Sequence, residues 1–358
     1  MVTNLEDNAW IFSTELEKIT VSGVSGNLNC AITVDDAEVL RETYYPDSSG
    51  LVTIYDIDEV VANCFHYPSM NDSADFISVA PLSVNIMMTD NSSMLTYTLH
   101  VIYSRFRTSM VAYNNPVFLS RYKLKSICHN SVDYISFFKA DNTQLYADVI
   151  YLDNAQSVKK TVLIDMDSVD MMVAYNVRLP KIAGLAGVNY ANILSFDLRI
   201  TNGQVNDLIR YIVDKKSHRE IHQFLYYNPF GLPESVSFVG LVQHAPELDG
   251  DIAVLQHRKM RISPYFNELQ TLNTGYLDSN KYQAVIDMLY SPQLRWYDTK
   301  SVPMDIVITE IDFTHTLMKN SRVNVNFTFC PADRKYRTFD RMKFSGGIFD
   351  YTFDKTFE

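Results

Sequence analysis

What most restricts the fold of this chain is the period of its apolar residues: from Val21 onward they fall in short runs, many of them alternating, each cut off by turn residues. Arg322 to Phe329 is the cleanest case, with Val323, Val325, Phe327 and Phe329 on one face against Asn324, Asn326 and Thr328 on the other. Successive side chains of a strand point to opposite faces, so this pattern suits a half-buried strand. Leu28 to Val34, Leu51 to Tyr55, Phe76 to Met88, Met94 to Tyr103 and Pro116 to Leu119 are runs of the same kind, rich in Val, Ile, Thr and Tyr. Between Val84 and Tyr103, Thr89-Asp90-Asn91-Ser92-Ser93 predicts a hairpin with a loop of about five residues. Residues 1–130 therefore read as a β-sandwich.

The rest of the chain continues in strands, with one clear helix. Ser131 to Ile150 and Ser157 to Val177 read as strands, and Gln223 to Gly240 as a hairpin turned by Asn228-Pro229-Phe230-Gly231-Leu232-Pro233. Val205 to Val213 fits either period and stays open. Asp56 to Asn63 can form a short helix. Lys281 to Tyr290 has the strongest helical pattern: Asp278 or Ser279 can cap it, Ala284, Val285, Met288 and Leu289 share a face, and Ser291-Pro292 stops it. Gln293 to Tyr297 follows, then Met304 to Ile311, where Ile306, Val307 and Ile308 run together as in a strand covered on both faces. The expectation is a mainly β protein, with residues 131–358 a β-rich α+β domain carrying one helix near 279–290.

Composition sets the bounds on partners. With 358 residues, 47% hydrophobic and 20% charged, the chain is long enough for two folded domains and too apolar for a disordered tail. A net charge of −11, spread along the chain, repels phosphate backbones, so nucleic acid is not an expected partner. The first residues, MVTNLEDNAW, lack a basic n-region and an apolar h-region, and no run of about 18 apolar residues occurs. No secretory signal or membrane span is expected, and the product is expected to be soluble and to start in the cytoplasm. Cys30, Cys64, Cys128 and Cys330 are isolated, without CxxC spacing, and are expected to be reduced core residues.

No residue pattern builds a catalytic site. His218 and His222 lie four apart, but Arg219 follows the first histidine where a zinc protease carries Glu. On a strand the two would stand roughly 13 Å apart, too far to share an ion. The nearest approach to G-x-S-x-G is Gly23-Val24-Ser25-Gly26, with Asn27 in the last place. Acid pairs such as Asp165 with Asp167, or Glu247 with Asp249, fit a solvated surface better than a glycosidase centre. Glu247, Asp249 and Asp251 around Gly250 lack the helix-loop-helix calcium pattern and read as a plain turn. The phosphate-cradling glycine motifs are missing from the sequence. No catalytic residue, cofactor or metal is expected. Trp10, Trp296 and the Tyr226-Tyr227 pair could form a sugar-stacking platform, although core or interface packing suits them better.

Several stretches resemble a family of poorly characterised virion and tail proteins encoded by phages and prophages of the Bacteroides group. They are Leu272-Asn273-Thr274-Gly275-Tyr276-Leu277, the helix ending Met288-Leu289-Tyr290-Ser291-Pro292, Pro303 to Asp312, and Asn324 to Phe329 with Pro331-Ala332-Asp333. The hairpin FLYYNPFGLPESVSF is similar as well, with Tyr226 or Tyr227 where the family carries Trp, and so is Tyr44-Tyr45-Pro46-Asp47-Ser48-Ser49-Gly50 with Ile54 to Val60. The resemblance implies a tail or baseplate component, made in the host cytoplasm and built into the virion, that forms a ring with copies of itself and meets other virion proteins. It supplies no catalytic residues. Edge strands and aromatic surface suit that role, and the candidate contact residues are Tyr226, Tyr227, Phe230, Ile306, Ile308, Val325 and Phe327, each of which suits a core position equally well. A host-surface glycan is the alternative partner.

Overall fold

The computed structural model describes residues 1–70, 74–110, 115–129, 131–166, 169–215, 221–255, 258–298, 303–312 and 323–332. The fold is mainly β, as the alternation requires, and its strands form five sheets around three successive cores.

The first core is a sandwich. A five-stranded sheet runs in the order Trp10–Phe12, Met94–Ile102, Leu82–Thr89, Leu28–Val34, Ala37–Tyr44. A three-stranded sheet of Val2–Thr3, Lys18–Ser22 and Val52–Tyr55 shares its core, together with helix α1, Ile57–Ala62. Asp90 closes the Leu82–Met94 connection by accepting from the backbone N–H of Ser92 (2.8 Å), Ser93 (2.7 Å) and Ser25 (2.8 Å). Those bonds hold its carboxyl well below the usual carboxylate range.

The second core lies between a four-stranded sheet, Val117–Phe118, Asp133–Phe138, Met172–Val177 and Phe76–Val79, and a five-stranded one. The latter runs Leu124–Ile127, Asn206–Val213, Ile193–Thr201, Gln144–Asp153, Gln156–Ile164. Helix α2, Leu179–Ala186, closes it, with Leu179, Ile182, Ala183 and Ala186 buried and Gly187 ending the helix at φ +63°. The third core sits beneath helix α3, Ser279–Leu289, on a seven-stranded sheet in the order Pro233–Val239, Ile221–Tyr227, Leu294–Asp298, Met304–Asp312, Asn326–Pro331, Arg258–Asn273, Val242–Leu255. Asp278 caps α3 by accepting from Asn280 N (2.9 Å) and Lys281 N (2.8 Å).

The structure departs from the sequence expectations at several points. The region beyond residue 130 contributes to two cores, and the run Phe76 to Met88 is shared between two: Phe76–Val79 joins the second sandwich while Leu82–Thr89 stays in the first. Helix α2 was not expected. Val205 to Val213 is a strand, since Ile209 and Tyr211 are buried while Leu208 and Ile212 face outward. Met304–Asp312 is covered on one face only: Ile306 is buried, but Val307 is 51% exposed. Among the described residues, no helix is long and apolar enough to cross a membrane.

Candidate functional site

The second and third cores meet along Asp133–Phe138, which lies beside Pro233–Val239, the edge strand of the seven-stranded sheet. Asp133–Phe138 is buried throughout because it serves two layers: Ile135 and Phe137 fill the second core, while Tyr134 and Phe138 join an aromatic cluster that links all three units. That cluster gathers Phe12 and Ile102 from the first sandwich, Tyr134 and Met172 from the second, and Tyr227 and Phe230 from the third.

Within this contact lies a buried polar network. Asp133 accepts from Lys125 Nζ on both oxygens (3.0 and 3.1 Å), from Tyr211 OH (2.6 Å), from Ser235 Oγ and from Tyr134 N (2.8 Å). Glu234 accepts from Ser136 Oγ (2.7 Å), Asn228 Nδ2 (3.2 Å) and Tyr226 OH (3.1 Å). Gln223 joins the Asp133 group, donating to Ser235 Oγ (3.2 Å) and accepting from Val132 N (3.1 Å). Burial, and then the facing carboxylates, push the Tyr211 and Tyr226 phenols well above their ordinary range, so both stay protonated donors. With both carboxylates buried and every oxygen engaged, the network fastens two sheets and offers no free acid or base to a solute. Sequence reasoning missed it; the available signal was a charged residue inside an apolar run, as in Val132-Asp133-Tyr134.

The structure places the candidate contact residues as follows. Tyr226, Ile306, Val325 and Phe327 are buried in the third core and Ile308 packs against it, while Tyr227 and Phe230 are buried in the aromatic cluster. Their apolar surface is spent within the chain. Trp296 is likewise buried, against Phe329 (5.3 Å) and His222 (5.8 Å), whereas Trp10 is 38% exposed and stacks on His100 at 4.8 Å.

His222 is buried with Nε2 3.1 Å from the Gly240 carbonyl, and His218 lies outside the described residues. Asp165 is exposed and Asp167 lies outside the described residues. Glu247 to Asp251 sit inside the strand Val242–Leu255, at a register irregularity, rather than in a turn. Cys30 is buried and its thiol is pushed up to about 11, mainly by burial; Cys64, Cys128 and Cys330 are half-buried, and all four are free thiols. Among the described residues, no group of three or more His, Cys, Asp and Glu is placed to hold a metal ion.

Among the described residues, two of the exposed sheet faces carry patterned polar groups. On the five-stranded sheet of the second sandwich, Arg210 grips Asp197 through two 2.7 Å bonds, and Asp148 lies under Arg199 (3.4 Å) and Lys159 (3.3 Å). On the seven-stranded sheet, an open groove of about 470 Å³ is lined in part by Thr271, Asn273, Asn326, Thr328, Glu310 and Asp312. Thr271 and Thr328 hydroxyls meet at 2.9 Å and Asn273 donates to Asn326 at 2.5 Å, so the groove floor is a ladder of polar cross-strand pairs.

No family model matches this sequence and no curated protein matches it. Among solved structures it is similar to tandem immunoglobulin-domain proteins. A chimeric titin Z1Z2–Z1Z2 tandem is 13% identical, covering 56% of this chain and 90% of that one, with a TM-score of 0.17. An I-band fragment of titin is 6% identical, covering 93% and 89%, at 0.19, and the N-terminal four Ig domains of Dscam1 isoform 1.9 are 8% identical, covering 77% and 70%, also at 0.19. Scores this low say nothing about what the chain does.

Proposed function

We propose that this protein is a structural component that assembles with copies of itself, of the phage tail or baseplate kind that its hairpin and turn motifs resemble. Its work is to bind and hold neighbours, and it performs no catalysis. The observation that carries this reading is the hairpin Val242–Leu255 with Arg258–Asn273. Among the described residues, Gln270–Asn273 are the part of the second strand that pairs with a third strand, and residues 258–269 pair with Val242–Leu255 as a two-stranded ribbon. At about 3.4 Å per residue that ribbon reaches roughly 40 Å. Isolated two-stranded ribbons are marginal in water, and both outer edges of this one carry backbone groups that a neighbour's strand can pair. A ribbon of this length suits a chain whose ordered state includes neighbours, made in a host cytoplasm and carried in the particle.

Mass photometry across concentration tests the reading: discrete oligomers support it, and a strict monomer at every concentration refutes it. A second reading, a glycan-binding module at a tail tip, is favoured by the exposed Trp10 ring. It predicts glycan-array binding that Trp10→Ala abolishes and that changes at the buried Trp296 affect only through stability.

A further inference from the structure

These two sheet faces differ in sign. On the five-stranded sheet the side chains of Asp197 and Asp148 are 16% and 9% exposed, lying beneath Arg210 at 53% and Lys159 at 59%, so what this face turns outward is cationic. Around these cations stand exposed aliphatics: Leu124 at 50%, Leu163 at 53%, Leu208 and Ile212. The cross-strand register places them in one plane, Leu124 opposite Arg210, Arg210 opposite Asp197, and Ile212 opposite Ser195. On the seven-stranded sheet the grooved face presents Glu310 and Asp312, both exposed, with no ion-pair partner among the described residues. It also bears exposed aliphatics, Leu241 and Val307.

We infer that the cationic face of one copy docks against the acidic, grooved face of the next. This rests on the assembly reading above and adds to the ribbon edges a pair of faces that meet between copies. Several features single out a second copy as the occupant. The faces are opposite in charge, each carries uncovered aliphatic side chains of the kind that association buries, and both belong to every chain. The two patches are different surfaces, so the contact is head-to-tail and generates a ring where the rotation closes and a filament where it does not.

A face four strand spacings wide and about six residues long covers roughly 400 Å², or about 800 Å² per contact, below the roughly 1,200 Å² at which stable specific interfaces begin. A single contact of that size is weak. Closure into a ring, in which every subunit is held twice, supplies the remaining stability. Steering by exposed charge also makes assembly fall with salt, because charges farther apart than about 10 Å are screened at 0.1 M.

The test is a charge swap in the full-length chain. One variant, Glu310→Lys with Asp312→Lys, presents two cationic faces; the other, Lys159→Glu with Arg210→Glu, presents two acidic ones. Mass photometry at low salt is expected to show wild-type oligomers, at least about tenfold weaker association for each variant alone, and recovery on equimolar mixing, where every contact again joins opposite charges. Recovery also shows that neither variant failed to fold. If wild type assembles and both variants assemble as well as it does, or if mixing restores nothing while circular dichroism reports folded chains, this pairing is wrong and the assembly reading stands. A wild-type monomer at all concentrations removes both.

Discussion

Replacing Asp133 by Ala should be among the most damaging single changes in the described chain. Asp133 and Lys125 are 6% and 5% exposed, and their pair is closed by Tyr211, Ser235 and the Tyr134 amide. Removing the carboxylate leaves an ammonium buried without a counter-charge, a mechanism that costs roughly 3–5 kcal/mol. Lys125→Met should cost less, because Asp133 keeps three of its donors. In the double variant Lys125→Met with Asp133→Ala both charges are gone and no buried ammonium is left unpaired. Its loss should therefore fall short of the sum of the two single losses by at least about 2 kcal/mol, as expected of directly coupled partners.

The two tryptophans make this measurable by urea unfolding. Trp10 belongs to the first sandwich and Trp296 to the third core, so Trp10→Phe leaves fluorescence that reports the sheet held by the network. Asp133→Ala costing under about 1 kcal/mol, or additive single losses, would refute the claim that this buried pair anchors the network.

Other predictions follow from single sites. Gly231 sits at φ +73°, and an added Cβ would lie 2.5 Å from the Phe65 ring and 3.1 Å from Tyr103, so Gly231→Ala should destabilise by roughly 2–5 kcal/mol through backbone strain and overpacking; a thermal melt unchanged from wild type would contradict it. Burial pushes the Asp287 carboxyl up to about 6 although Arg121 lies 4.0 Å away. A raised carboxyl pKa means that ionisation costs folding energy, absent below about pH 4, growing to pH 6 and complete above it, about 3 kcal/mol at most. Asp287→Asn should thus stabilise at pH 7.5 and do little at pH 4; equal effects at both, or a loss at pH 7.5, would show that the Arg121 pair outweighs burial. Asp278→Ala removes two cap bonds from α3 and should cost about 1 kcal/mol, read by urea unfolding.

The elements legible in the sequence were those in which local pattern and tertiary burial agree. Val323, Val325, Phe327 and Phe329 alternate in sequence and all four are buried in the third core, and Asp278 caps the helix whose apolar face the spacing defined. What stayed hidden depends on which layer covers a strand, and local pattern carries no such information. Ile306-Val307-Ile308 reads as doubly buried, yet Val307 is exposed. The aromatic hairpin Tyr226 to Phe230 has the composition of an interface, but the three cores converge on it and bury it within the chain. The charged ladder Asp197, Arg199 and Arg210 was written as plain alternation with Phe196, Leu198 and Ile209, and only pairing across strands brings the charges together.

If the chain assembles as proposed, burial of the hairpin aromatics constrains how it does so. If Tyr226, Tyr227 and Phe230 bound neighbours, the chain would first have to expose the cluster in which its three units meet, losing the contacts that fix their relative orientation. A ring closes only when each subunit turns the chain of copies by the same angle, so flexible units would close poorly. Aromatics spent on the junction, together with the Asp133 and Glu234 network, instead hold the cationic and acidic faces of one chain at a fixed angle. Stiffness at the junction and charge at the surface are then separable. Asp133→Ala, at a concentration where the chain stays folded, should broaden the distribution of oligomer sizes before it weakens any single contact, whereas charge reversal at Glu310 and Asp312 should lower the amount of oligomer without broadening it. If both changes act alike on the mass distribution, the junction has no separate role in setting the angle.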